Sequence, residues 1–401
     1  MSDSDHDIAT RAVHAGEAID DQQALSQARA LEPPLVLSSA YDLGTAEQAA
    51  AAFRGENELY IYGRWRNPSV ESLERKLADL ESAEAAVATA SGMAAVTGAL
   101  LSSLQAGDHV VAPWSCYGET SRLLREHLPK LGIQTTFVDG SSIEAYAGAL
   151  APNTRVVYAE TPSNPVLKIC DLRALAKLAR ERGAELVCDN TFATPIHQRP
   201  IELGADVVLH SMTKALGGHG DAIGGVICGS RARVHAASEL VVKGFGGVLA
   251  PFNAFLISRG VRTLALRQRQ ASSSALELAR WLTTQPAVAQ VHYPGLESHP
   301  GHGIAAGQMT GFGALLSFEL RGGIEAGKRV LEGVELIEHA VSLGDVRSLL
   351  THPASTTAST MPIETRRRAD IGDGLLRLSV GIEATEDLRR DLTRALARCE
   401  R

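Results

Sequence analysis

The chain has 401 residues, 45% hydrophobic and 21% charged, and 39 Lys and Arg against 46 Asp and Glu give a formal charge of -7. That length accommodates one large and one smaller domain with a full core. The acidic balance excludes a polyanion-binding surface, which needs clustered cations, so no nucleic-acid partner is expected. Five cysteines (Cys116, Cys170, Cys188, Cys228, Cys399) form no C-x-x-C pair, and three lie in apolar stretches, as suits free thiols in a reducing cytosol. The start, Met1-Ser-Asp-Ser-Asp-His-Asp, lacks the basic-then-apolar layout of a signal peptide, and no apolar run reaches bilayer length. A soluble, cytoplasmic chain is expected.

Residues 1–65 are polar or Ala-rich and interrupted by Pro33-Pro34, so they read as an extended arm that must pack on something else. From residue 66 to about 255 a βα alternation is expected. Ser69 to Ser82 places Val70, Leu73, Leu77 and Leu80 on one helical face behind the start signal Asn67-Pro68. Ala85 to Ala90 reads as a buried strand, and Ser91-Gly92-Met93 opens an Ala/Leu-rich helix. Such a strand–glycine–helix junction presents free N–H groups and the positive end of the helix dipole, which is a phosphate site. Apolar runs follow at Val110–Ala112, Thr135–Val138, Val156–Ala159, Leu186–Cys188 and Val207–Leu209, with the helical pattern of Leu172 to Arg182 between them. They imply a mainly parallel sheet covered on both faces, with Gly224–Gly229 as one more strand. Residues 256–401 begin helix-rich and lead into a smaller α+β region with Gly311–Glu319 as a strand. Arg366-Arg367-Arg368, the only basic triplet, reads as a solvated surface turn.

The chemistry concentrates in Leu209-His-Ser-Met-Thr-Lys-Ala-Leu-Gly-Gly-His-Gly-Asp221, where Lys214 follows Ser211 and Thr213 and precedes a run of glycines. A lysine there can form a Schiff base with an aldehyde cofactor while its neighbours hydrogen-bond a phosphate; a solvated loop lysine is the alternative. Upstream, Asp189 ends the apolar run Ala184-Glu-Leu-Val-Cys-Asp189, where α/β sheets bind ligands, although Asp-Asn-Thr also suits a cap or turn. Lysine handle, hydroxyls and a carboxylate for a pyridine nitrogen together describe pyridoxal 5'-phosphate (PLP). No metal is expected.

In order along the chain stand Tyr60-Ile-Tyr-Gly-Arg64, Glu160-Thr-Pro-Ser-Asn-Pro165, Asp189-Asn-Thr-Phe-Ala-Thr-Pro195, the Lys214 segment and Leu376-Arg-Leu-Ser-Val-Gly-Ile-Glu383. This set resembles the Cys/Met-metabolism PLP enzymes, which include cystathionine γ-synthases and γ-lyases, methionine γ-lyases and O-acylhomoserine sulfhydrylases. The resemblance implies an α/β protein of PLP-dependent transferase fold type I: a mainly parallel large domain with a smaller α+β C-terminal domain. It implies elimination or replacement at Cγ of an L-amino acid through a vinylglycine-type intermediate, and a homotetramer built as a dimer of dimers. A β-eliminating C–S lyase and a catalytically silent PLP-binding regulatory protein are the alternatives.

The resemblance also distributes roles. Lys214, Asp189 and Tyr117 are the catalytic candidates, Tyr117 stacking on the cofactor ring. Ser91, Gly92, Met93, Ser211 and Thr213 would hold the phosphate, with Tyr62 and Arg64 reaching the phosphate of a neighbouring subunit. Arg377 would grip the substrate carboxylate as a bidentate fork, unless it points outward from its strand. Ser342 and Asn164 would complete the carboxylate and O3' side. Arg66 stands where most relatives have glycine, Glu119 where glycine or cysteine is usual, and Ala215 where tyrosine is usual. The stretch His352 to Ala358 lacks its usual terminal histidine, and Gly344-Asp345 is closer to the sulfhydrylase pattern. Arg66 and Glu119 are therefore expected to line the distal pocket, paired or meeting a polar substrate, with solvent exposure as the alternative.

Overall fold

Short runs of Val, Ala and Leu cannot be left half-solvated, and each becomes a strand covered on both faces. In the computed structural model, which describes residues 6–16 and 31–399, seven of them form one sheet. They are β1 (Ala85–Thr89), β2 (His109–Pro113), β3 (Gln134–Val138), β4 (Thr154–Glu160), β5 (Glu185–Asp189), β6 (Val207–Ser211) and β7 (Gly225–Gly229). Their order is β1-β7-β6-β5-β4-β2-β3, parallel except for β7, which runs antiparallel to both neighbours. Alternation along each strand splits the core. Val187, Val207, Leu209 and Tyr158 face the helix Gly92–Leu101, whereas Leu186, Cys188 and Val208 face the helices Pro68–Leu80 and Leu172–Glu181.

A second sheet, order β10-β11-β12-β9-β8, is built from β8 (Val288–His292), β9 (Leu315–Leu320), β10 (Glu338–His339), β11 (Leu349–Thr351) and β12 (Leu375–Ser379). The helix Leu264–Leu282 joins the two halves: Leu264 and Ala265 belong to the first core, and Ala275, Leu278, Ala279 and Leu282 to the second. Smaller apolar clusters, such as Leu167, Phe192, Leu315 and Leu343, fill the seam between the sheets.

Three expectations need correction. The strand expected from Gly311 starts at Leu315, because Gly313 adopts φ +81 and turns the chain first. Arg366 to Arg368 end a short helix, Ile363–Arg368, rather than a turn: Arg366 is paired with Asp373, and Arg368 lies 5.1 Å from the Trp114 ring centroid. The arm also contains helices. Ile8–His14 is capped by Asp7, and Thr45 with Gln48 forms a capping box on Ala46–Phe53. The first of these docks on its own chain. Ala12 is fully buried, Arg11 pairs with Asp79 at 2.8 Å, and Lys76 Nζ donates to the carbonyls of Ala12 and Val13 at 3.2 and 3.1 Å. Residues 1–5 and 17–30 of the expected arm lie outside the described residues. Among the described residues, no helix is long and apolar enough to cross a membrane.

One buried carboxylate organises the C-terminal half. Asp391 accepts from the amides of Glu335, Leu336 and Ile337 at 2.9–3.2 Å, fixing the turn that leads into β10. Burial alone would raise its pKa, but those three amides hold it below the ordinary carboxylate range. Its stability contribution is therefore present above the unfolded pKa and is lost as pH falls through the folded one. Asp391→Ala is expected to cost about 2–3 kcal/mol, since it leaves buried amides unpaired. The mutant should also show a weaker acid dependence in chemical denaturation; an unchanged midpoint and pH profile would contradict this role.

Candidate active site

The Asp189 carboxylate terminates β5, and the register places it beside Glu160 of β4 and Leu209 of β6. Burial raises its pKa, while the Thr191 amide, 2.9 Å from Oδ1, opposes the rise. The other oxygen, Oδ2, has the Tyr158 hydroxyl at 3.5 Å, a long contact for an acceptor of this strength.

Beyond β6 the chain turns sharply. Lys214 N donates to Ser211 O at 3.2 Å and Gly218 N to Lys214 O at 2.8 Å. Arg267 braces this turn from the helix below: Nη1 donates to Ala215 O at 2.8 Å and Nη2 to Gly260 O at 2.6 Å. Lys214 Nζ emerges toward the second sheet and donates to Ser342 Oγ at 3.0 Å. Burial and the nearby Arg377 cation bring its pKa down to about 8.

Arg377 comes from the middle of β12, between Thr351 of β11 and Ser317 of β9, and is 4% exposed, so it does not point to solvent. Its Nη1 donates to Asn164 Oδ1 at 3.0 Å and its Nη2 to the carbonyls of Val341 and Ser342 at 3.1 and 3.0 Å. Its Nε has no partner among the described residues, and burial draws its pKa down to about 10. An anion is the natural complement of such a fork. The Tyr117 ring, 46% exposed, precedes the helix Gly118–Arg122, and its amide donates to Glu160 Oε2 at 2.8 Å. Glu160 Oε1 accepts from the Asn164 amide at 2.8 Å.

The opposite end of the site suits a phosphate. Ser91 caps the helix Gly92–Leu101 by accepting from Ala94 N at 3.1 Å, which leaves the first-turn amides of Gly92 and Met93 without helical acceptors. Gly92 packs so closely on Ser211 that an added Cβ would lie 2.8 Å from the serine Cβ. Thr213 Oγ1 accepts from Gly224 N at 3.1 Å, and Ser211 N donates to Thr191 Oγ1 at 2.9 Å, which ties β6 to the Asp189 loop.

Four expected site residues make their contacts elsewhere in this chain. Tyr62 bridges to Ala40; Arg64 lies 5.4 Å from the Tyr62 ring centroid and donates to the Lys243 carbonyl. Arg66 pairs with Glu71 at 2.6 Å and Glu58 at 3.0 Å. The Glu119 side chain, 56% exposed, pairs with Arg122 at 3.8 Å, so no Arg66–Glu119 pair forms within the chain. Ala215 is buried under the Ser342–Gly344 loop, and Ala358 packs with Val166, Ile371 and Leu375. Both positions are filled by apolar packing.

A family model described as Cys/Met metabolism PLP-dependent enzyme matches residues 9–397. This chain belongs to that family. L-methionine gamma-lyase of Fusobacterium nucleatum subsp. polymorphum is 45% identical over 398 residues, 99% of each chain. O-succinylhomoserine sulfhydrylase of Pseudomonas aeruginosa is 42% identical over 365 residues, 90% of each. A crystal structure of cystathionine gamma synthase from Xanthomonas oryzae pv. oryzae, in complex with aminoacrylate and cysteine, superposes with TM-score 0.91 at 41% identity, covering 98% of this chain and 99% of that one. The fold is that of the PLP-dependent synthases and lyases, the chain is a PLP-dependent enzyme, and its cofactor is PLP.

The residues present fit that cofactor: Asp189 Oδ2 is a buried acceptor with only a long contact, and the Gly92 cradle offers free amides. Sequence reasoning overlooked two residues here. Glu160 ends an apolar strand run just as Asp189 does, and Arg267 interrupts the apolar stripe of Leu264, Ala271 and Leu278. Only the uncharged Lys214 amine can bond to an aldehyde. Covalent uptake of PLP by apoenzyme should therefore accelerate as pH rises through about 8 and then level off, followed by stopped-flow absorbance. A rate that is flat across neutral pH would contradict the lowered lysine.

Proposed function

We propose that this enzyme eliminates or replaces a group on Cγ of an L-amino acid, with a methionine-like thioether as the leading substrate class. The observation carrying this reading is the meeting of two cations at Ser342: Arg377 donates to its carbonyl at 3.0 Å and Lys214 to its hydroxyl at 3.0 Å. A carboxylate anchor and a near-neutral amine thus share one residue. When bound, PLP supplies the electron sink that acidifies first the Cα–H and then the Cβ–H of the substrate. Asp189 faces the ring nitrogen with negative charge, and Lys214 carries the protons from Cα and Cβ. Loss of the Cβ proton lets the group on Cγ depart. With PLP bound, Tyr117 would stack on the ring and Ser91, Gly92, Met93, Ser211 and Thr213 would hold the phosphate, while Asn164 and Ser342 orient Arg377.

Elimination is favoured by the similarity to a methionine gamma-lyase over 99% of the chain. Replacement is the second reading, favoured by the sulfhydrylase relative and by Gly344-Asp345. Methionine, cystathionine, O-acetylhomoserine and O-succinylhomoserine, supplied with and without a thiol, separate the two. Release of 2-oxobutyrate marks elimination and a new thioether marks replacement. Pyruvate as the dominant product would make the enzyme a β-lyase, and PLP binding without turnover would make it a silent cofactor-binding protein.

Arg377→Lys removes the two-pronged contact and should lower kcat/KM by roughly one to two decades for every amino-acid substrate. A loss confined to one substrate would place Arg377 at the side-chain end instead.

The enzyme works as a cytoplasmic homotetramer, a dimer of dimers, of a PLP domain (66–255), a C-terminal domain (256–401) and an arm (1–65) that reaches the neighbouring subunit. Support comes from Tyr62 and Arg64, whose contacts in their own chain leave them outside the Lys214 cluster, and from the exposed apolar side chains Leu37, Phe53 and Tyr62 on the arm. Ion pairs within its own chain, to Glu58 and Glu71, hold Arg66, which leaves Glu119, two residues past Tyr117, as the distal-pocket candidate. Mixing Arg64→Ala with Lys214→Ala protein should restore part of the activity through hybrid oligomers. A fully active monomer in sedimentation would overturn the exchange.

A further inference from the structure

Glu160 is 6% exposed and ends β4 in register with the buried Asp189 at the end of β5, so two carboxylates lie side by side in the interior. Each Glu160 oxygen accepts one backbone amide at 2.8 Å, Tyr117 N on Oε2 and Asn164 N on Oε1. The first amide sets the ring that faces the cofactor. The second belongs to the residue whose Oδ1 holds Arg377. Only a carboxylate serves both amides well, because a protonated carboxyl turns an O–H toward one of them. Asp189 on β5, Arg377 on β12, and Tyr158 and Cys116 nearby face Glu160; His210 on β6 faces Asp189. Burial first, and then the Asp189 charge, push Glu160 upward against the pull of Arg377. Such a pair titrates as a unit and retains a proton into the neutral range. A cation over Asp189 removes the repulsion and releases that proton.

We propose that Glu160 is a positioning residue that ties cofactor occupancy at Asp189 to the placement of Tyr117 and Asn164 at the substrate end. The inference rests on the PLP reading above. It makes occupancy and ionisation reciprocal: whatever ionises Glu160 tightens the cofactor, by the same factor with which the cofactor ionises Glu160.

The test measures the PLP dissociation constant against pH in Lys214→Ala protein, where no covalent link contributes, and in Lys214→Ala/Glu160→Gln. Binding that expels a proton strengthens as pH rises, so the single variant should show the steeper gain and the double variant should lose that part of the slope. Equal slopes overturn the inference while leaving the PLP reading intact. Absence of any PLP binding by the folded single variant overturns both. Because Glu160→Gln can fail to fold, difference infrared spectroscopy on wild-type apoenzyme provides a second check. Adding PLP should abolish a protonated-carboxyl stretch, and its persistence overturns the inference. In the Lys214 background, Glu160→Gln should raise KM roughly tenfold for all substrates with a smaller change in kcat, the mark of a misplaced carboxylate anchor.

Discussion

A carboxylate buried at the end of a central strand is tolerable only if something positive is going to face it. Asp189 imposes that condition here, and Glu160 on the adjacent strand doubles it. The protein supplies partial relief through the Thr191 amide, the two amides on Glu160 and the Arg377 cation. On the proposed reading, complete relief would come from a cofactor whose ring nitrogen carries a proton. On the same reading, affinity for PLP and the geometry of the substrate end would share one electrostatic origin.

The same cation shapes the lysine. Arg377 lies close enough to lower the Lys214 pKa, yet Lys214 stands in the turn just beyond β6 of the first sheet and Arg377 on β12 of the second. Their separation is fixed by the Ser342–Gly344 loop, which packs on Ala215, and by Val346 N donating to Gly218 O at 2.9 Å. Arg267 holds the lysine turn from the other side through the Ala215 carbonyl and ties it to the helix Pro251–Val261 through the Gly260 carbonyl. The helix Leu264–Leu282 that carries Arg267 is shared by both cores, which ties the lysine turn to the packing of each half.

The strand runs and the Lys214–Asp189 pairing were legible because period-2 burial and a lysine among hydroxyls leave local marks in the sequence. Glu160 leaves no such mark, since its importance lies in the register between β4 and β5, which no local pattern reports. Arg377 left two readings open for the same reason. A strand arginine flanked by Leu376 and Leu378 can face either way until its neighbours are known, and Asn164, 213 positions away, decides it. The short helix Ile8–His14 escaped notice because seven residues give too little periodicity to detect, and its burial comes from Lys76 and Asp79 far along the chain.

The departures from the usual family pattern divide along the same physical line. Ala215 and Ala358 sit in buried, apolar surroundings, where a smaller side chain is accommodated by packing and leaves no charge unpaired. Arg66 brings a charge, and Glu58 of the arm and Glu71 of the helix Pro68–Leu80 neutralise it. Glu119 is different: its ion pair with Arg122 is long, solvated and therefore weak. It also lies two residues past the exposed Tyr117 ring. Residues around the cofactor are held by one another and cannot change singly without leaving a buried charge or amide unpaired. At the exposed rim, as at Glu119, a side chain can change at little cost to folding, and on the proposed reading that is where substrate choice would be adjusted.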